Sequence, residues 1–211
     1  MKKIYLNLFT TLFFIILSTL VSAEIKKNDD IIYNELLNLA QNGDVTSINK
    51  LITLAKNGDV ISIYNLGRMY QNGSGVDQNF KKAMKLYLVS AKEGYSLSYN
   101  NIGQMYSLGQ GVQQNHKESM NWYKIGVKYK LSDSAHNIAA KFINGSGVEK
   151  NYTIALMWMN VALKLDNFSS SKVKFKSERN RERLIEVMSL TQIKKAKLLA
   201  RDCVTKNYKK C

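Results

Sequence analysis

The apolar positions in the middle of the chain follow a helical period. Ile63, Leu66, Gly67 and Tyr70 are spaced i, i+3, i+4, i+7, and Ala83, Leu86, Tyr87, Ser90 and Ala91 keep the same stripe. This pattern predicts two amphipathic helices joined by a short turn. The columns then return at a spacing of 36: Leu66, Ile102 and Ile138; Tyr70, Tyr106 and Phe142; Leu86, Trp122 and Trp158. Small residues align as well, with Gly67, Gly103 and Ala139 before the turn and Ala83, Ser119 and Ala155 after it. Agreement in so many columns is internal repetition, and it predicts an all-α fold, an α/α repeat superhelix or solenoid of stacked helical hairpins. Three units are expected, at about residues 61–96, 97–132 and 133–166.

The connection inside each unit is a glycine turn: Gly73-Ser74-Gly75-Val76, Gly109-Gln110-Gly111-Val112 and Gly145-Ser146-Gly147-Val148. The first glycine can end a helix in the left-handed region and the second relieves a tight bend, while the valine plugs the turn into the core. Asn79, Asn115 and Asn151 stand where an N-cap should start the second helix. The small residues at 67, 103 and 139 let the paired helices approach closely.

Upstream, Leu39-Ala40-Gln41-Asn42-Gly43-Asp44-Val45 is echoed by Leu54-Ala55-Lys56-Asn57-Gly58-Asp59-Val60. Two short helices, near Ile31 to Gln41 and Thr46 to Lys56, would cap the array within residues 24–60. Downstream, residues 167–211 read as a basic helical cap. Ser169-Ser170-Ser171 is expected as a loop, a charged helix follows from about Lys174 to Met188, and Ser189 with Gln192 forms a capping box for a last helix.

The run Leu66-Gly67-x-Met69-Tyr70-x-x-Gly73-x-Gly75-Val76, with Phe80-Lys81-Lys82-Ala83 and Ser90-Ala91-x-x-Gly94, resembles the Sel1-like repeat, a relative of the tetratricopeptide repeat. The likeness spans about residues 55–166. The third copy departs from it: Ala139 replaces the helix glycine, Lys141 the methionine, and Leu165 stands where Gly94 closes the first copy. The resemblance implies an interaction scaffold or adaptor for a protein or peptide. The stretch from Arg183 to Ile193 is similar to the helical tail that follows many such arrays.

Lys2 and Lys3 precede an apolar run from about Leu8 to Val21, and Val21-Ser22-Ala23 offers small residues to a signal peptidase. Cleavage between Ala23 and Glu24 is expected. It would deliver a bacterial protein to the periplasm or the exterior without stable membrane insertion. Removing residues 1–23 lowers the net charge from +15 to +13, of which residues 172–211 hold +9. Such a patch suits a solvated helix face, an anionic cell-wall polymer or an anionic lipid; an exported chain seldom meets nucleic acid. Cys203 and Cys211 are the only cysteines, with seven residues between them, and in an oxidising compartment they read as a disulfide. Their spacing also occurs in the cysteine-rich Sel1-like proteins of bacteria. Some of those bind or hydrolyse β-lactams, but this chain lacks their further cysteines, having Ala91 and Val127 at such places.

Catalytic chemistry is sparsely supplied. His116 takes the column of Phe80 and Tyr152, and His136 that of Tyr64 and Asn100, and both read as structural residues. The glycine turns lack the Lys-Ser/Thr of a phosphate loop and follow a helix. Tyr64, Tyr99, Tyr123 and Trp158 could stack on a ligand, but their period assigns most of them to the core. No catalytic residue, metal or cofactor is expected, and the chain reads as a monomer. The concave face remains, lined by the first helices, with Ser62, Asn65, Arg68, Asn101, Gln104 and Asn137 as candidate binding residues. The column Asn65, Asn101, Asn137 has two readings: partner contacts, or side chains capping a neighbouring backbone.

Overall fold

A computed structural model describes residues 29–208 and 211. Signal cleavage at Ala23–Glu24 falls outside the described residues. Every regular element described is a helix: α1 (29–41), α2 (Val45–Lys56), α3 (Val60–Asn72), α4 (Phe80–Lys92), α5 (Leu97–Leu108), α6 (His116–Lys128), α7 (Ser132–Asn144), α8 (Tyr152–Leu165), α9 (Ser171–Val187) and α10 (Leu190–Thr205). From α2 to α9 each helix packs on the next in sequence, and α8 also takes α10. The result is a stack of hairpins α3–α4, α5–α6 and α7–α8, closed by α1–α2 at one end and α9–α10 at the other.

Seven of the helices, α2, α3, α4, α6, α8, α9 and α10, start where a side chain takes up an orphan amide, while α5 and α7 begin without a side-chain cap. Asp44 and Asp59 accept from Ser47 N and Ser62 N, each at 2.7 Å. Asn79, Asn115 and Asn151 accept from Lys82 N, Glu118 N and Ile154 N. Ser189 and Gln192 complete the reciprocal capping box of α10. Helix α9 begins at Ser171, three residues earlier than the sequence pattern indicated, because Ser170 acts as its N-cap; the serine run is therefore only partly loop.

The glycine turns serve two purposes. Gly73, Gly109 and Gly145 cap their helices at φ 71°, 70° and 72°. Gly75, Gly111 and Gly147 share that left-handed backbone, yet they also touch the preceding unit. A Cβ on Gly75 would overlap the Ala40 carbonyl, and one on Gly147 would overlap the His116 side chain. On Gly111 it would sit 2.5 Å from the Phe80 carbonyl carbon and oxygen. The second glycine is thus the point where one hairpin rests on the last.

Within each hairpin, size is matched across the pair. A Cβ on Gly67 would lie 3.0 Å from the Tyr87 ring and one on Gly103 would lie 2.6 Å from the Tyr123 ring. In the third unit Met159 takes the tyrosine column, and a methionine can bend away from the Ala139 methyl. The end of the second helix follows a corrected register. Gly94 corresponds to Lys130 (φ 62°) and then to Asp166 (φ 48°), not to Leu165, since α8 runs one residue further before its left-handed cap.

Three apolar clusters fill the stack. Ala40, Leu51, Leu66 and Met69 form the first, tyrosines 64, 87 and 99 with Met84 and Met105 the second, and the largest joins α7, α8, α9 and α10 around Met157, Trp158 and Met159. Cys203, 2 % exposed, is bonded to Cys211 with the Cα atoms 5.0 Å apart, so the bridge closes the chain end onto α10.

Candidate interaction groove

The odd-numbered helices α1, α3, α5, α7 and α9 lie side by side and are tied by a row of polar contacts. Asn65 Nδ2 donates to the Tyr33 hydroxyl at 3.3 Å, linking α3 to α1. Asn101 Nδ2 donates to the Tyr64 hydroxyl at 3.3 Å, linking α5 to α3. Asn137 Nδ2 and Ser134 Oγ both donate to Asn100 Oδ1, at 2.9 and 3.3 Å, linking α7 to α5. His136 Nδ1 meets Ser177 Oγ at 2.7 Å and links α7 to α9. The asparagine column therefore caps no neighbouring backbone, which corrects one of its two readings: each member bonds a side chain of the unit before it.

This row floors a groove of about 1100 Å³ running from Tyr33 to Lys176. Of the candidate residues, Arg68, Asn101, Gln104 and Asn137 line it with accessible side chains. Ser62 does not: it is fully buried, with its hydroxyl 3.1 Å from that of Tyr33. Asn65 lines the groove but is only 6 % exposed. Both are covered because α1 packs over α3, bringing Tyr33 onto them, and α1 lies outside the 36-residue register from which the face was read. Tyr64, one of the aromatics whose period points to the core, and His136 are both buried, and they also form part of the groove wall.

Burial governs the chemistry of this wall. Desolvation raises the pKa of the Tyr33, Tyr64 and Tyr95 hydroxyls, so at neutral pH they stay protonated and able both to donate and to accept. Desolvation, reinforced by Lys176, lowers the pKa of His136 and keeps the imidazole neutral. Ser177 donates its hydrogen to the Val173 carbonyl at 2.9 Å, which leaves Oγ to accept from His136 Nδ1. The histidine is a donor in this pair and the serine is fully buried, so the contact clamps α9 to α7 and does not activate a nucleophile. Asp133 accepts from Ser169 N at 3.2 Å and holds the loop that leads into α9.

Nine of the side chains lining the groove are Asn or Gln. An amide side chain carries a donor and an acceptor, the same pair that every residue of a polypeptide backbone presents; contacts between units already engage Asn65, Asn100, Asn101 and Asn137 in part. Arg68, with its guanidinium 6.0 Å from the centre of the Tyr64 ring, supplies an exposed cation midway along the wall.

The Sel1 repeat profile matches residues 60–95, 96–127 and 132–167, the three hairpins. The chain belongs to the Sel1-repeat proteins. Sel1 repeats in general serve as scaffolds for protein–protein interaction. Among solved structures it is similar to c5321, a protective antigen of uropathogenic Escherichia coli strains displaying an SLR fold, with a TM-score of 0.67 at 20 % identity. That likeness covers 87 % of this chain and 40 % of the other, so the chain spans about two fifths of that protein's length. It is also similar to a Sel1 repeat protein from Oxalobacter formigenes, with a TM-score of 0.60 at 20 % identity, over 81 % of this chain and 68 % of the other. At this identity the likeness shows the fold alone. No curated protein matches the chain.

Proposed function

We propose that this Sel1-repeat protein is an exported, monomeric, non-enzymatic adaptor that holds a segment of another polypeptide in its concave groove. The observation that carries the reading is the amide-lined wall of the groove, floored by hydroxyls and side chains already fixed by contacts between units. A pre-positioned wall of this kind binds with little ordering cost. The leader with Lys2, Lys3 and the Ala23–Glu24 junction supports export to the periplasm or beyond. No described helix is long and apolar enough to cross a membrane.

Arg68 and Gln104 test the reading, because both are exposed in the groove and neither takes part in the polar contacts between units. An R68E/Q104R variant should fold as the wild type and lose at least tenfold in affinity for a polypeptide captured from envelope or host extracts, a loss of about 1.4 kcal/mol. A captured polypeptide bound equally by wild type and variant would overturn the assignment of the groove.

A further inference from the structure

Helix α10 is buried on one side only. Ala196, Ala200 and Cys203 face the core, and the helix packs on α8. Leu190, Lys194, Lys197, Leu198 and Arg201 recur at i, i+4, i+7, i+8 and i+11, which puts them on one stripe of the opposite side. All five are exposed, Leu190 by 76 % and Leu198 by 49 %. Val187, 68 % exposed, stands at the corner where α9 turns into α10. From Leu190 to Cys211 the sequence holds seven Lys or Arg against the single acid Asp202. No residue of α10 lines the concave groove.

Cations alone describe a solvated helix face, and single exposed leucines need no explanation. Here the two are interleaved on one stripe of a helix that is held in place by α8. A soluble polyanion would engage the cations and leave the leucines in water. A bilayer with anionic headgroups uses both: the ammonium and guanidinium groups reach the phosphates while the leucines enter the acyl boundary. We propose that the outer face of α10 docks on an anionic phospholipid surface through Lys194, Lys197 and Arg201, with Leu190 and Leu198 inserted. The concave groove stays free to hold its polypeptide, so this surface is independent of the adaptor reading.

The test is sedimentation of the chain lacking residues 1–23, which retains every described helix, with vesicles of phosphatidylcholine alone or mixed with phosphatidylglycerol. The wild type should bind the mixed vesicles, bind the neutral ones weakly, and release as salt rises. K194Q/K197Q/R201Q should lower partitioning on the order of a hundredfold. L190S/L198S should lower it about tenfold while leaving binding to soluble polyglycerol phosphate unchanged. Circular dichroism confirms that both variants remain folded, which is expected because the five side chains lie on the exposed stripe. Failure of the wild type to bind mixed vesicles would overturn the proposal. So would equal binding by the leucine variant, which would make the surface a general polyanion site.

Discussion

Gly109 and Gly111 share one turn and one backbone conformation, φ 70° and 72°, but differ in what lies beyond them. Changing either to alanine places a side chain in the left-handed region, at a cost of about 1 kcal/mol. At Gly109 the new methyl would lie 3.3 Å from Gln114 Cβ, a side chain on the surface that can yield. At Gly111 it would lie 2.5 Å from the Phe80 carbonyl carbon and oxygen and 2.9 Å from Lys81 N. Those atoms belong to the first turn of α4, whose amide at Lys82 is pinned by Asn79. They can move only if the second hairpin lifts off the first, and overpacking of this kind adds about 1 to 3 kcal/mol. G109A is therefore expected to lose about 1 kcal/mol and G111A about 2 to 4 kcal/mol in equilibrium denaturation with urea. Hydrogen exchange in G111A should accelerate first at the α4–α5 junction. Equal losses in the two variants would show that the second glycine serves only its own turn, and the account of how the units stack would be wrong.

Two further outcomes follow from the same structure. Lys141 sits in the column of Met69 and Met105, is 4 % exposed, and donates to Ser107 Oγ at 3.1 Å with His116 Nδ1 at 3.3 Å; no carboxylate is paired with it among the described residues. Burial lowers its pKa, so the unfolded chain holds its proton to higher pH than the folded one, and stability rises with pH between the lowered value and the ordinary lysine range. K141M should stabilise by about 1 to 2 kcal/mol at neutral pH and flatten that rise, as read by thermal unfolding across alkaline pH. The Cys203–Cys211 bridge should contribute about 2 to 3 kcal/mol. In C203A/C211A faster hydrogen exchange is expected in α10 and its partner α8, fading before Gly109; an even effect back to α3 would contradict nearest-neighbour coupling.

The fold was legible because each unit repeats its own instructions. The apolar columns, the paired glycines and the asparagine N-caps act within one hairpin, and those are local relations that a period of 36 exposes. Contacts between units were harder to read. The same glycine spacing that marks a turn says nothing of Ala40, Phe80 or His116 lying against it. Tyr33 reaches Ser62 and Asn65 from a helix outside the register, which turned two expected surface residues into buried ones. Lys141 appeared as a departure from a motif, and only packing shows it to be a lysine in a methionine's place. The groove residues that sequence found, Arg68, Asn101, Gln104 and Asn137, are those whose environment is set by their own helix and its immediate neighbour.

The central claim is that partners enter the concave groove. Its most direct measurement is site-specific photocrosslinking in cells that express the protein, with the reactive residue at Gln104 in the groove or at Lys124 on α6, which is exposed and does not line it. The account predicts a discrete crosslinked polypeptide from position 104, displaced in an R68E background, and none of that species from position 124. The same polypeptide captured at position 124 and absent at position 104 would contradict it.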